Sequence, residues 1–278
     1  MAKEGKVMSH PDAQSGVKEG EWKKYDSKYQ LVRYVLVLVA LVIGVLSWWE
    51  LNIRYEYVID APWALWDLIV RMVPPDVAYS AEIIGPLIDT VNIAILGTGL
   101  ALIMAAPVAY IGAENTTPNK FTYGLGKFII VASRSVNVII WALIFVVMFG
   151  TGALAGVFAV AFRSIGFCAK LLAEGIEEID PGQVEGIRAV GASGPLILLY
   201  GVVPQIKPLF VGISTYRWDI NVREATVIGF VGAGGIGMEL ITQVNFLNWR
   251  GVLTVLFAIL GIVIISELLS AYFRKKVS

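Results

Sequence analysis

Long stretches of apolar residues with few charged side chains dominate the chain. A helix of about 20 apolar residues crosses the hydrocarbon layer of a bilayer. The membrane spans predicted on this basis are 31–49, 85–111, 128–149, 153–172, 204–230 and 251–272. The sequence therefore predicts an all-α polytopic membrane protein, with a polar N-terminal tail at 1–30 and a transmembrane domain at 31–278.

The composition narrows the possible chemistry. Hydrophobic residues make up 57% of the chain, charged residues only 16%, and the mean hydropathy is +0.72, whereas about a quarter of a soluble domain is charged. The single cysteine, Cys168, cannot form an internal disulfide, and the single histidine, His10, lies in the polar tail. A histidine-based metal site and a Ser-His-Asp triad are therefore excluded, and lipid is the expected environment.

Basic residues near both termini predict the orientation of the chain. The tail carries six lysines, Arg33 lies at the edge of the first span, and the chain ends in Arg274, Lys275 and Lys276. With an even number of spans the termini share one side, which the positive-inside rule makes cytoplasmic. The first span follows a long polar leader and precedes no small-residue cleavage site, so we expect a permanent anchor rather than a signal peptide.

A glycine-rich stretch near the end of the fifth span, "VIGFVGAGGIGMEL" at 227–240, formally matches a dinucleotide-binding loop. Such a loop needs a second strand and an acidic residue about twenty positions further on. The carboxylate that follows Glu239 is Glu267, and a membrane span lies between the two. The glycines are therefore predicted to serve close packing or a gate where a helix is broken. These residues are Gly232, Gly234, Gly235 and Gly237.

A long polar interruption lies between the fourth and fifth spans, at 173–203, on the predicted cytoplasmic side. Asp180 is suited to cap a helix, Pro181 to occupy its first position, and Gln183 completes the spacing of a capping box. The helix is expected to run through Val190 and to stop at Gly191. A short rigid helix between two spans is suited to transmit force from a cytoplasmic partner, although an ordinary interfacial helix has the same local pattern.

The spacing of Glu185, Gly191 and Pro204 resembles the "EAA" loop in the membrane permease subunits of ABC importers. Gly186 and Ile187 replace the two alanines of that loop, and Gly201 and Val203 stand where larger aliphatic residues are usual. The runs "EEIDPGQVEGIRAVGAS" and "YRWDINVREATVIGFVGAGGIG" are similar to permeases of phosphonate and phosphite importers in particular. The resemblance extends from about Thr90 to the C-terminus.

This resemblance implies a type I ABC importer permease fold in the inner or plasma membrane of a prokaryote. The implied partners are a cytoplasmic ABC ATPase dimer, a solute-binding protein, a second permease copy or paralogue, and lipid, but no nucleic acid. The chain has no phosphate-binding loop of its own, so ATP and Mg belong to the ATPase, and this chain is expected to bind no cofactor and catalyse no reaction. The residues implied in ATPase coupling are Asp180, Pro181, Glu185, Gly191 and Pro204.

The fifth span carries an unusual cluster of polar residues within "TYRWDINVREATV", at 215–227. Charges in a membrane helix must be paired or hydrated, and Asp219 and Arg223 have the spacing of a helical ion pair. Arg217 and Glu224 are expected to lie about 10 Å apart along the helix, beyond direct contact. Arg217 is thus predicted either to line the translocation pathway and screen an anionic ligand, or to pair with a carboxylate on another span or subunit. Arg223 is the second candidate for the pathway role. The pathway candidates are Arg217, Asp219, Asn221, Arg223 and Glu224.

Other functions stay open from the sequence alone. A membrane-embedded hydrolase would need paired carboxylates within the spans, which the sequence does not offer, and a non-transporting scaffold would not explain the charged fifth span. The sequence leaves open whether the permease pair consists of two copies or of this chain and a paralogue. It also leaves open whether the solute is a phosphonate, phosphite, hypophosphite or phosphate, and the alternative is an ABC importer permease for another small solute. One departure from related permeases is Asn137, where a proline is usual.

Overall fold

A computed structural model of the protein describes residues 27–51 and 54–277, and within them all regular structure is helical. The polar tail before Ser27, with His10 and most of the lysines that predict the orientation, lies outside the described residues. The chain divides into two compact units, at 1–63 and 64–278.

Eleven α-helices are present in the described part of the chain. Five helical segments there are long and apolar enough to cross a membrane, and α4 with α5 makes a sixth if this bent pair counts as one span. The helices are α1 (Ser27–Glu50), α2 (Tyr55–Met72), α3 (Ile84–Gly112), α4 (Lys120–Ser135), α5 (Val138–Phe149), α6 (Ala153–Glu177), α7 (Pro181–Ala189), α8 (Gly194–Ile197), α9 (Val203–Ile228), α10 (Ile236–Asn245) and α11 (Trp249–Val277).

The described residues of the first unit form α1 and the beginning of α2. α1 exposes apolar side chains along its whole length, as a helix in contact with lipid does. The Trp48 indole donates a hydrogen bond of 2.6 Å to the Tyr55 hydroxyl, and this bond fixes the corner between the two helices. α2 continues into the second unit and carries Trp63 and Trp66 exposed on its surface.

α6 is the central helix of the second unit and packs against α3, α4, α5 and α9. Small residues make this close packing possible: a side chain at Gly97 of α3 would begin 2.7 Å from Val160 Cγ1 of α6. Two apolar clusters form the core, one around Phe145 and Ile228 and the other around Leu172 and Ile213. They lie toward opposite ends of α6.

The third predicted span, 128–149, differs from the prediction because it is not one straight helix. α4 ends at Ser135, α5 begins at Val138, and the two are bent by 92°. Asn137 adopts an extended conformation, and its side chain accepts a hydrogen bond of 3.0 Å from the Ile139 amide, which caps α5. A capping asparagine starts a new helix where a continuous apolar run indicated none.

Candidate functional site

The helix predicted for ATPase coupling is present as α7 and has the expected local design. Asp180 caps it by accepting a 2.9 Å hydrogen bond from the Gly182 amide, and Pro181 occupies its first position. α7 ends at Ala189, one residue before the predicted end, and Gly191 has the positive φ of 79° that favours glycine. This conformation turns the chain toward α8.

The predicted capping box is wrong in its second member. Gln183 makes no bond to the Asp180 amide; the Gln205 side chain of α9 accepts that hydrogen bond at 2.9 Å. Gln205 also donates to the Gly201 carbonyl at 2.7 Å. The start of α7 is therefore fastened directly to the first turns of α9, which begins next to Pro204.

Two departures from the "EAA" pattern compensate for each other in size. Gly201 lies opposite α7, and a Cβ atom added there would lie 3.5 Å from Ile187 Cδ1 and 3.5 Å from Val184 Cα. Ile187 thus fills the space that a larger residue at position 201 would occupy. The apolar side of α7 packs on the bundle, while Glu185 and Arg188 are exposed on its other side.

A groove of about 450 Å³ lies beside α7. The connection between α3 and α4 forms one wall and is tied to the end of α6. The Asn115 amide donates to the Ile176 carbonyl at 2.5 Å, and the Glu114 amide donates to the Glu177 carboxylate at 2.9 Å. Glu185 therefore stands at the edge of a concave surface and not on a flat one.

Arg217 is not the unsatisfied cation that helix geometry predicts. Its side chain is 3% exposed, and its Nη2 atom lies 2.9 Å from Glu224 Oε2. Its Nε donates a second hydrogen bond, of 2.8 Å, to the Ser164 hydroxyl of α6. The prediction of separate positions is wrong because residues seven apart share one helix face, and the long arginine side chain spans the two turns between them.

The same network continues through the interior of the bundle. Asn221 is completely buried, donates at 2.8 Å to the Thr98 hydroxyl of α3, and lies 3.1 Å from the Ser164 hydroxyl. Neither Thr98 nor Ser164 is among the predicted site residues. Both are small polar residues within an otherwise largely apolar span, and this is the signal by which they could have been found.

Asp219 and Arg223 form the predicted ion pair along α9. Asp219 also accepts a 2.9 Å hydrogen bond from the Ser266 hydroxyl of α11. The Asp219 side chain is 5% exposed, whereas that of Arg223 is 49% exposed. Arg223 is therefore the more exposed of the two arginines, and a role of either one in the translocation pathway remains a prediction.

The glycine-rich stretch forms the tight connection between α9 and α10. The φ angles of Gly232, Gly234 and Gly235 are 86°, 83° and 75°, a region that strongly favours glycine. The Gly232 carbonyl accepts a hydrogen bond of 2.9 Å from the Gly152 amide, immediately before α6. Thr90 of α3 binds the Ile236 amide at 2.8 Å and holds the other side of the connection.

Gly237 allows a second close approach. A Cβ atom there would lie 2.0 Å from the Thr226 carbonyl oxygen, so α10 packs backbone to backbone against the end of α9. Close packing therefore accounts for these glycines in this conformation, and a gating role remains a prediction. No group of histidine, cysteine, aspartate and glutamate suited to a metal ion occurs among the described residues.

Comparison with known proteins places the chain in a family. Residues 97–278 match the family described as "Binding-protein-dependent transport system inner membrane component". The chain is 37% identical over 240 residues to the phosphite transport system permease protein PtxC of Stutzerimonas stutzeri, with 85% of this chain and 87% of that protein covered. It is also 37% identical over 210 residues to the phosphate-import permease protein PhnE of Mycolicibacterium smegmatis, with 75% and 40% covered.

A solved structure shares the arrangement of helices. The MetNI methionine ABC transporter in an inward-facing conformation matches with a TM-score of 0.62 and 19% identity, over 73% of this chain and 99% of that chain. The predicted fold class and the predicted resemblance are both confirmed. The chain belongs to the binding-protein-dependent transport system inner membrane component family and has the fold of a type I ABC importer permease.

Proposed function

We propose that this protein is the permease subunit of an ABC importer that carries a phosphonate, phosphite or related phosphorus oxyanion into the cytoplasm. The observation that carries the proposal is the 37% identity to a phosphite transport system permease over 85% of the chain. A second permease copy or paralogue, an ABC ATPase dimer and a solute-binding protein complete the transporter. This chain is non-catalytic and binds no cofactor, because ATP and Mg are held by the ATPase.

The surface of α7 supports its assignment as the contact with the ATPase. Its capped start, its exposed Glu185 and Arg188, and the adjacent groove form a rigid polar projection. Glu185 is suited to accept a hydrogen bond or an ion pair from the ATPase, and Gly191 ends the projection. Because Gln205 joins α7 to α9, a displacement of α7 is transmitted to the helix that carries the polar network.

The polar network supports movement of α9, α6 and α3 as one body. Arg217, Ser164, Asn221 and Thr98 connect these three helices in the interior. Buried polar groups that are mutually satisfied resist separation because each lost partner leaves a desolvated group. Closure of the ATPase pair would then rock this body between inward and outward access as a rigid unit.

Coupling through α7 is tested by Glu185→Lys in the reconstituted transporter. We expect membrane insertion and assembly to persist, while ATP hydrolysis stimulated by the binding protein falls at least about 10-fold, because the reversed charge opposes docking. Glu82→Lys is the matched control, since Glu82 is exposed just before the start of α3, whereas the end of α3 leads into the groove beside α7. Unchanged stimulated hydrolysis in Glu185→Lys would rule out α7 as the contact.

We further propose that both termini and α7 are cytoplasmic. Single cysteines at Asn115 and Gln183 are expected to react with a membrane-impermeant thiol reagent only from the cytoplasmic side. Cysteines at Asp76 and Asn245 are expected to react only from outside. A reaction at Asp76 from the cytoplasm would overturn the assignment of α7 as the ATPase contact, because it would invert the chain.

A further inference from the structure

A second polar feature lies apart from α7 and from the α9 network. It is a groove of about 460 Å³ between α4 and α6. Every charged side chain that lines it is a cation, and Ser135 is its uncharged polar residue. The four cations are Lys127, Arg134, Arg163 and Lys170.

The charges of this cationic groove are balanced at one end only. Lys127 lies 3.8 Å from Glu177, and Lys170 lies 3.4 Å from Glu174. Arg134 and Arg163 have neither an ion pair nor a side-chain hydrogen bond with any described residue. Their positive charge is therefore available to an anion, unlike that of Arg217, which Glu224 neutralises.

The two free arginines lie deep along helices that cross or enter the membrane. At a rise of 1.5 Å per residue, Arg134 is about 21 Å from the start of α4 and Arg163 is about 15 Å from the start of α6. Arg163 therefore lies near the middle of α6, a helix long enough to cross a bilayer about 30 Å thick, and Arg134 lies across the groove from it near the end of α4. Charges at this depth face a water-filled cavity or another protein surface rather than lipid.

Close contact between α4 and α6 holds the two arginines in place. The Ser133 hydroxyl accepts a 3.0 Å hydrogen bond from the Gly166 amide and donates one to the Phe162 carbonyl. It is thus inserted between two backbone groups of α6 that are one helical turn apart. A side chain at Gly166 would begin 2.5 Å from the Ile130 carbonyl oxygen, so only glycine permits this approach.

The two arginines directly follow the residues that form this hydrogen-bonded contact. Arg134 follows Ser133 in the sequence, and Arg163 follows Phe162. The backbone atoms that carry both guanidinium groups are therefore fixed relative to each other before any ligand arrives. The fixed backbone limits the space that the two guanidinium groups can sample, and binding an anion between them would still have to order two long side chains.

We infer that the cationic groove binds a tetrahedral phosphorus oxyanion within the membrane, with Arg134 and Arg163 as its ligands. Guanidinium groups bind the oxygens of such anions in a bidentate manner. At the other end of the groove, Lys127 and Lys170 pair with Glu177 and Glu174. An anion that enters there therefore meets a smaller net positive charge. The identity of the anion as transported solute rests on the proposed function, because the headgroup of an anionic lipid presents the same chemistry.

Binding is tested directly with a thiol placed in the groove. Ser135→Cys keeps both arginines, and Cys168→Ala removes the single native cysteine, which is buried. The complete transporter is exposed to a charged methanethiosulfonate reagent in the presence of inorganic phosphite. We expect the reagent to react with the new thiol, and phosphite to slow the reaction at least about 10-fold in phosphatidylcholine vesicles.

The lipid composition of the vesicles and the arginine variants distinguish a transported phosphorus oxyanion from the headgroup of an anionic lipid. Protection by phosphite is expected to persist in vesicles with and without phosphatidylglycerol, and to disappear in Arg134→Gln and Arg163→Gln. Arg71→Gln is the control, because Arg71 is exposed on α2 and pairs with Asp67. Protection by phosphatidylglycerol alone would overturn the assignment to the transported solute, and an unreactive thiol or undiminished labelling would overturn the site.

Uptake provides the functional arm of the test. Arg134→Gln and Arg163→Gln are each expected to lower phosphite uptake at least about 10-fold at unchanged assembly and basal ATP hydrolysis. Arg134→Lys and Arg163→Lys are expected to retain part of the uptake, because lysine keeps the positive charge but cannot bind in a bidentate manner. Uptake equal to the wild type in both glutamine variants would overturn the role in transport. If wild-type transporter takes up no phosphorus oxyanion while phosphite still protects the thiol, the proposed function fails and the anion site stands.

Discussion

Replacing Gly237 by alanine tests the close packing between α9 and α10. The added Cβ atom would lie 2.0 Å from the Thr226 carbonyl oxygen, whereas ordinary contact begins at 3.4 Å. The backbone of Gly229 lies on another side, 3.0 Å from the same Cβ position. The two segments must therefore separate by about 1.4 Å, and no flexible side chain can absorb this movement.

Forcing an extra carbon into a packed interior costs about 1–3 kcal/mol, which corresponds to a change of about 5- to 150-fold in the folding equilibrium. For a chain of this size the expected decrease in Tm is about 2–12 °C. Thermal unfolding of the detergent-purified permease, followed by tryptophan fluorescence, measures it. The matched control is Gly99→Ala, because no atom lies within 4 Å of a Cβ at Gly99 of α3.

The control is expected to change stability in the opposite direction. Alanine is favoured over glycine inside a helix by about 0.5–1 kcal/mol, so Gly99→Ala should raise the Tm slightly. If Gly237→Ala matched Gly99→Ala in stability, the backbone contact between α9 and α10 would be absent in the protein. The account of the glycine-rich connection as a packing device would then be wrong.

Two further predictions concern buried contacts. Arg217→Gln is expected to destabilise the protein by about 3–5 kcal/mol, because it leaves Glu224 without its partner. Adding Glu224→Gln should recover part of this loss. Equal Tm values in the single and double variants would contradict the ion pair. Gly201→Leu is expected to displace α7 through Ile187 and to reduce stimulated ATP hydrolysis, while the added change Ile187→Ala should restore it. Failure of that rescue would show that the two positions do not compensate in size.

Local patterns in the sequence predicted much of this architecture. Predominantly apolar runs predicted the long helices because a membrane helix needs about 20 mostly apolar residues. Asp180 and Gly191 identified the ends of α7 because capping depends on adjacent residues. The pair Asp219–Arg223 followed from helix periodicity alone.

Contacts between distant segments were not predictable in the same way. Gln205 binds the Asp180 amide from another helix, so the capping-box spacing pointed to the wrong residue. Arg217 reaches Glu224 because side-chain length offsets the distance along the axis. The cationic groove combines residues from α4 and α6, and no pattern along one helix indicates that their charges face a common space.

Uptake of labelled phosphite by vesicles that contain the permease, its ATPase and its binding protein is the direct test that this protein transports phosphorus oxyanions. We expect saturable uptake that requires this chain, the binding protein, and ATP on the side of the membrane where α7 lies. Unlabelled phosphonate and phosphate should compete with labelled phosphite to differing degrees. Omission of any one component should abolish the uptake. Uptake of an unrelated solute by the same vesicles, with no transport of any phosphorus oxyanion, would show that this permease does not serve a phosphorus oxyanion importer.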